Sequence, residues 1–255
     1  MEYGAPHPKG GAFPVKVHVF IPCLVEHVLP RIGVATLQVL AAAGLEPVVP
    51  DRQTCCGQLA YKRGRPDLVR PLATRFLDLF ADAAVVVCPS GSCTAMVRRY
   101  PDLFPADDPR RDRARRMAAH TFELGQFLVE RLGRTDFGAS LPLRATLHES
   151  CQITRGLGAG QATRDLLAKV RGLELVEMAH PQDCCGFGGA FSLSYPELSQ
   201  AIVDDKVDEI VATGATAVIC AEPSCLQNIA SVMAKRGLPI KALHLAEVLA
   251  SGGAS

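Results

Sequence analysis

Ten cysteines carry most of the chemistry this chain could do: Cys23, Cys55, Cys56, Cys88, Cys93, Cys151, Cys184, Cys185, Cys220 and Cys225. They fall into two groups of five. Successive steps are 32, 1, 32 and 5 residues in the first group and 33, 1, 35 and 5 in the second. No cysteine is left over, and steps matched this closely mark an internal duplication. The start of the chain lacks the basic-then-apolar layout of an export signal, so thiols at this density read as metal ligands or redox groups rather than disulfides. Four thiolates suit an iron–sulfur cluster. Zinc also takes four, but usually from paired Cys-x2-Cys knuckles, which this sequence lacks, and an adjacent Cys-Cys pair fits poorly around one small tetrahedral ion. An iron–sulfur centre is the first expectation for each group. A zinc staple and metal-free thiol–disulfide chemistry are the alternatives.

Three separated turns must meet in each half for such a centre to form. The runs 15–22 and 144–150 read as strands whose C-terminal tips deliver Cys23 and Cys151. Cys55-Cys56-Gly57 and Cys184-Cys185-Gly186 form matching turns. Each is followed by a helix opening on Pro-acid-Leu, at Pro66-Asp67-Leu68 and Pro196-Glu197-Leu198. Residues 83–87 and 216–219 read as short buried strands ending in Cys-x4-Cys, with helices resuming around 94–100 and 226–236. Cys93 and Cys225 then sit at helix starts, where backbone N–H groups favour an anionic cluster. Alternating strands and helices imply an α/β fold with a mostly parallel sheet in each duplicated half, and parallel strands present their C-terminal ends on one edge. The expected layout is a flexible lead over 1–14, a first repeat over 15–104, a helical connector over 105–140 with one long helix over 108–132, and a second repeat over 141–251. Gly57, Gly186 and Gly188 are expected to let backbone approach a bulky inorganic core. Phe187 is expected to shield a cluster from water.

Other features exclude more than they propose. The net charge of +1 gives no reason to expect nucleic acid, and no apolar run is long enough to span a bilayer, so a cytoplasmic location is expected. Arg110, Arg111, Arg113, Arg115 and Arg116 follow Asp107-Asp108-Pro109 and read as the solvated face of a capped helix. Gly156, Gly158 and Gly160 lack the Lys and Ser/Thr of a phosphate loop. His18, His27, His148 and His244 read as core histidines first and as ligands or donors to ligands second.

The Cys-Cys-Gly pairs, with Pro89 through Thr94, Cys184 through Gly189, Ser224-Cys225-Leu226 and His244 through Leu249, resemble the cysteine-rich (CCG-domain) iron–sulfur family. That family includes the cysteine-rich component of heterodisulfide reductase and the iron–sulfur component of glycolate oxidase, and the similarity is greatest to its lactate utilization group. The resemblance implies an electron-transfer subunit of a cytoplasmic oxidoreductase complex oxidising L-lactate to pyruvate. Its implied partners are a ferredoxin-like iron–sulfur subunit and a third, small subunit. The alternatives are a heterodisulfide-reductase-like catalytic subunit acting on thiols, a glycolate oxidase subunit, and a zinc-stapled module without redox function. The implied cofactor is one [4Fe–4S] cluster per cysteine set, cubane or noncubane. Where the heterodisulfide reductase relative has Cys-x2-Cys, this chain has Cys-x4-Cys. The resemblance therefore carries Cys23, Cys55, Cys56 and Cys93, with Cys151, Cys184, Cys185 and Cys225, and leaves Cys88 and Cys220 as spare ligands.

Overall fold

β-Branched and apolar runs form the strands. They are β1 (Val15–Val19), β2 (Leu45–Val48), β3 (Val86–Cys88) and β4 (Thr121–Glu123) in the first half, and β5 (Ser140–Leu147), β6 (Arg171–Leu175), β7 (Ala217–Cys220) and β8 (Lys241–His244) in the second. The computed structural model describes residues 15–252, so the lead expected over 1–14 lies outside the described residues. The strands make two parallel four-stranded sheets with the same order, β2-β1-β3-β4 and β6-β5-β7-β8. The duplication read from cysteine spacing is thus a duplication of topology. Strands β3 and β7 are buried along their whole length, as continuous apolar strands of a parallel sheet should be.

This order reverses direction between β1 and β3, and again between β5 and β7. Such switch points leave a crevice at the strands' C-terminal ends, the place where open α/β sheets bind ligands. Cys23 follows β1 and Cys88 ends β3; Cys151 follows β5 and Cys220 ends β7. Helices Gly91–Arg98 and Pro223–Lys235 begin just beyond, each with its cysteine as third residue.

One expectation fails. The single helix over 108–132 is broken: a helix covers Pro109–Ala119, then β4 intervenes before helical turns at Leu124–Gln126 and Phe127–Arg131. Thr121, Phe122 and Glu123 are all buried beside β3, with Val86 opposite Thr121 and Cys88 opposite Glu123. Ladder hydrogen bonds and burial outweigh local helix propensity there. The basic helix behaves as read: only Ala114 and Met117 of Pro109–Ala119 are buried, and Asp108 caps it while pairing with Arg110.

One apolar cluster, including Val19, Leu40, Leu147, Ile219 and Leu249, runs through both halves. A second lies under the first sheet, where Phe20 packs edge-on to Phe76 at 5.0 Å and Phe76 to Tyr100 at 5.5 Å between centroids.

Candidate metal centres

In the first half, the turn after β1 and the Cys-Cys-Gly turn are tied by Gln53. Its side-chain amide accepts from Ile21 N–H at 2.8 Å and donates to Val19 C=O at 2.9 Å. In the second half Gln182, likewise two residues ahead of its cysteine pair, donates to Glu149 at 2.7 Å. These glutamines were missed in the sequence; their equal offset from the pairs was the available signal. Each pair is then fixed through a carbonyl. Tyr100 Oη donates to Cys56 C=O at 3.0 Å, and Asn228 Nδ2 donates to Cys185 C=O at 2.8 Å.

Gly57 and Gly186 have φ of +86° and +77°, the left-handed region that glycine enters without strain. A Cβ at Gly57 would meet Val69 Cγ1 at 2.6 Å, and one at Gly186 would meet Ser199 C=O at 2.5 Å. These glycines therefore serve the turn and its packing on the following helix. Their N–H groups point back at the first cysteine of each pair, 3.4 Å from Cys55 Sγ and 3.3 Å from Cys184 Sγ.

The first set gathers as a string. Cys23 hydrogen-bonds to Cys55, Cys55 neighbours Cys56, and Cys56 Sγ lies 3.4 Å from Cys93 Sγ. Hydrogen bonds from Cys23 and Cys56 hold the Cys55 thiol well below the usual thiol range. Donation to Cys55, contact with Cys93 and burial push Cys56 well above it. Cys88 is wholly buried at the end of β3, and desolvation pushes its thiol well above the usual range.

The second set closes more tightly. Cys184 is pushed up by its bond to Cys185 and by burial, and Cys185 Sγ is 2.9 Å from Cys225 Sγ. Cys220 Sγ accepts from Glu222 N–H at 3.3 Å. Cys151 stands half-buried on the turn after β5. The donors that do fall within 4.8 Å of one another are Cys185, Cys225 and His148. His148 is 2% exposed, and burial lowers its imidazole to about 3, so it is neutral. His244 is likewise lowered to about 4 by burial and caps the helix Leu245–Leu249. His18 sits edge-on to Phe80.

A cavity of about 310 Å³ opens beside Cys23, Cys55, Cys56 and Cys93. Its other walls come from both halves: His27, Val28 and Leu59 from the first, Phe187, Gly189 and Pro223 from the second. Phe187 thus faces the first cysteine set. A larger open depression of about 830 Å³ lies among Arg52, Arg70, Arg75 and Arg110, but no cysteine lines it.

Glu222, a residue the sequence did not mark, joins the halves. It is 1% exposed, and its carboxylate accepts from Ser92 N–H at 2.8 Å, Ser92 Oγ at 3.0 Å, Ser90 Oγ at 3.2 Å and Ser224 Oγ at 2.8 Å. It sits at the N-termini of both cysteine-bearing helices, where the helix dipoles favour negative charge. One buried carboxylate therefore clamps the two Cys-x4-Cys turns together.

Two parallel-sheet units, each carrying thiols at its switch point, define a twofold cysteine-rich α/β protein whose clustered thiols suit a soft metal. The chain belongs to the cysteine-rich domain (CCG) family, which matches residues 17–98 and again 145–230. It is 46% identical over 238 residues to lactate utilization protein A of Exiguobacterium sp., covering 92% of this chain and 97% of that protein. It is 43% identical over 235 residues to lactate utilization protein A of Geobacillus thermodenitrificans, covering 92% and 98%. It is 43% identical over 237 residues to lactate utilization protein A 1 of Bacillus cereus, covering 93% and 99%. Among the described residues no helix is long and apolar enough to cross a membrane.

Proposed function

We propose that this chain is an iron–sulfur electron-transfer subunit of a cytoplasmic oxidoreductase complex that oxidises L-lactate to pyruvate, working with a ferredoxin-like iron–sulfur subunit and a third, small subunit. The lactate reading rests on the similarity to lactate utilization protein A. The observation that carries the redox reading is the gathering of Cys23, Cys55, Cys56 and Cys93 at a sheet switch point, beside a cavity walled by both halves. The donor set fits a cluster: soft thiols, two turn N–H groups directed at cysteine sulfur, and a helix N-terminus at Cys93. The first centre would be held by Cys23, Cys55, Cys56 and Cys93. The second would be held by Cys151, Cys184, Cys185 and Cys225.

A cluster supplies one-electron storage and transfer. The protein positions the thiolates, excludes water from Cys56 and Cys225 by burial, and lines the way to the first centre with the apolar walls of Leu59 and Phe187. Anaerobically prepared protein should hold about eight iron atoms per chain with matching sulfide. Stoichiometric zinc without iron would overturn the redox reading and favour the zinc-stapled one. The purified chain on its own should not oxidise lactate with an artificial acceptor, since hydride acceptance is assigned to a partner; robust turnover would contradict that division of labour.

A further inference from the structure

Resting on the iron–sulfur reading, we propose that Glu222 acts on both metal centres at once: its buried negative charge, placed where the two halves meet, holds both reduction potentials down together. The two Cys-x4-Cys loops align residue by residue. Ser90 and Glu222 are equivalent, each standing three positions before its helix cysteine, Cys93 or Cys225. In the fold these equivalent positions meet. The Ser90 hydroxyl lies 3.2 Å from both carboxylate oxygens of Glu222. A second acid at position 90 would face the first at close quarters, and two like charges there repel. One copy therefore carries the acid, and the single carboxylate serves both loops.

Glu222 is tied to each cysteine set by a short chain of bonds. Cys93 N–H donates to Ser90 Oγ at 3.3 Å, and the Ser90 hydroxyl in turn donates to the carboxylate. On the other side, Glu222 N–H donates to Cys220 Sγ at 3.3 Å. Glu222 also lines the cavity beside the first cysteine set. The site suits the ionised form. Each oxygen accepts a backbone N–H, from Ser92 on Oε2 at 2.8 Å and from Ser224 on Oε1 at 3.3 Å, and these groups can only donate. No ion pair among the described residues includes Glu222, so no cation is paired with it. A charge that is 1% exposed is poorly screened by solvent. Adding an electron to a cluster beside it is disfavoured, and net charge is one of the factors that set a cluster's potential. Because the shift is common to both, Glu222 poises the pair against its partner subunits and leaves the driving force between the two centres unchanged.

The test is an anaerobic redox titration of the full chain followed by EPR, with iron and sulfide measured on the same samples. In Glu222→Gln both centres should become easier to reduce, by about tenfold or more in the one-electron equilibrium, which is about 59 mV. The gap between the two potentials should not change. Ser92→Ala and Ser224→Ala weaken the same clamp without removing charge, so both potentials should stay at their native values. Exchanging the pair, as Ser90→Glu with Glu222→Ser, returns the charge to the same meeting point and should return both potentials. Should Glu222→Gln fail to fold, Glu222→Ser carries the same comparison. A shift confined to one centre would overturn the proposal. So would unmoved potentials in Glu222→Gln, or an equal shift in Ser92→Ala, which would make Glu222 a structural clamp alone. Zinc in place of iron, or iron for only one centre, shows in the metal analysis. Either result rejects the reading of two clusters first, and this proposal with it.

Discussion

Two regions with one topology hold their cysteines differently. Around the first set, Cys23 joins the string, an aromatic cluster of Phe20, Phe76 and Tyr100 lies beneath, and a cavity of about 310 Å³ gives access from the boundary between the halves. Around the second set, ligand atoms of Cys185, Cys225 and His148 lie within 4.8 Å of one another, and the cleft of about 10 Å³ on the other side of His148 is lined by no cysteine. The duplicated backbone explains what is shared: parallel strands, a switch point, a glycine turn and a cysteine in the first turn of a helix. The differences arise one side chain at a time, at Phe20 against His148, Ser90 against Glu222, and Glu123 against His244. A fold copied in tandem can thus keep its ligand scaffold while the supporting side chains give each copy its own access and charge.

The largest effect that would break this comparison is on metal content. If the sets are independent centres, Cys56→Ser and Cys185→Ser should each remove about half of the iron, and the double variant nearly all of it. Iron and sulfide analysis with EPR decides the point. Complete loss in either single variant would mean that the two sets act as one site.

Next in size is the clamp between the halves. Glu222→Ala leaves Ser92 N–H and three hydroxyls without their buried acceptor, and should cost about 1–3 kcal/mol in anaerobic urea unfolding. Ser90→Ala, at the equivalent position of the first half, removes a helix cap and one of several donors and should cost about 1 kcal/mol. Equal losses would show that the clamp is as symmetric as the fold.

A smaller difference should separate the spare cysteines. Both end a central strand, and the sequence treats them alike. In the structure Cys220 Sγ accepts from Glu222 N–H at 3.3 Å and so helps fix the loop that carries Cys225, and no corresponding bond is found at Cys88 among the described residues. Cys88→Ser should keep nearly all of the iron, and Cys220→Ser should lose a measurable part of the second centre. The opposite order would mean that Cys88 is a ligand.

Much of this was legible from residue spacing alone. The cysteine steps reveal the duplication, and Pro66 and Pro196 mark the helix starts that the structure shows. What spacing could not show depends on tertiary placement. Thr121 through Glu123 look helical in their local run and become a strand because β3 offers an open edge. Phe187 belongs by sequence to the second motif, yet it walls the first cavity because the halves pack against each other. Glu222 sits unremarked inside a Cys-x4-Cys loop, and its role needs two serines lying about 130 positions away, at Ser90 and Ser92.

The finest test of the comparison uses protons. Glu123 ends β4 opposite Cys88, and His244 ends β8 opposite Cys220, so an acid and a base occupy matching buried sites, each capping the helix that follows. Burial raises Glu123 from 4.5 to about 7, against the weaker pull of the N–H groups of Gln126 and Gly125. Its folded form therefore holds a proton that the unfolded chain has released, and the stability this gives is complete below pH 4.5 and lost as pH rises through 7. Burial lowers His244 from 6.5 to about 4, so the unfolded chain takes up the proton first. The stability of the neutral form is complete above pH 6.5 and lost as pH falls through 4. Glu123→Gln, with no proton to hold, should therefore gain on the native chain as pH climbs between those limits, by about 1.4 kcal/mol per pH unit at most. His244→Asn, which keeps a capping oxygen, should gain on it with a similar slope as pH falls. Unfolding midpoints taken at half-unit intervals measure both differences against the native chain. Slopes of opposite sign support matched sites of opposite chemistry, and two profiles running parallel to the native one would remove that distinction between the halves.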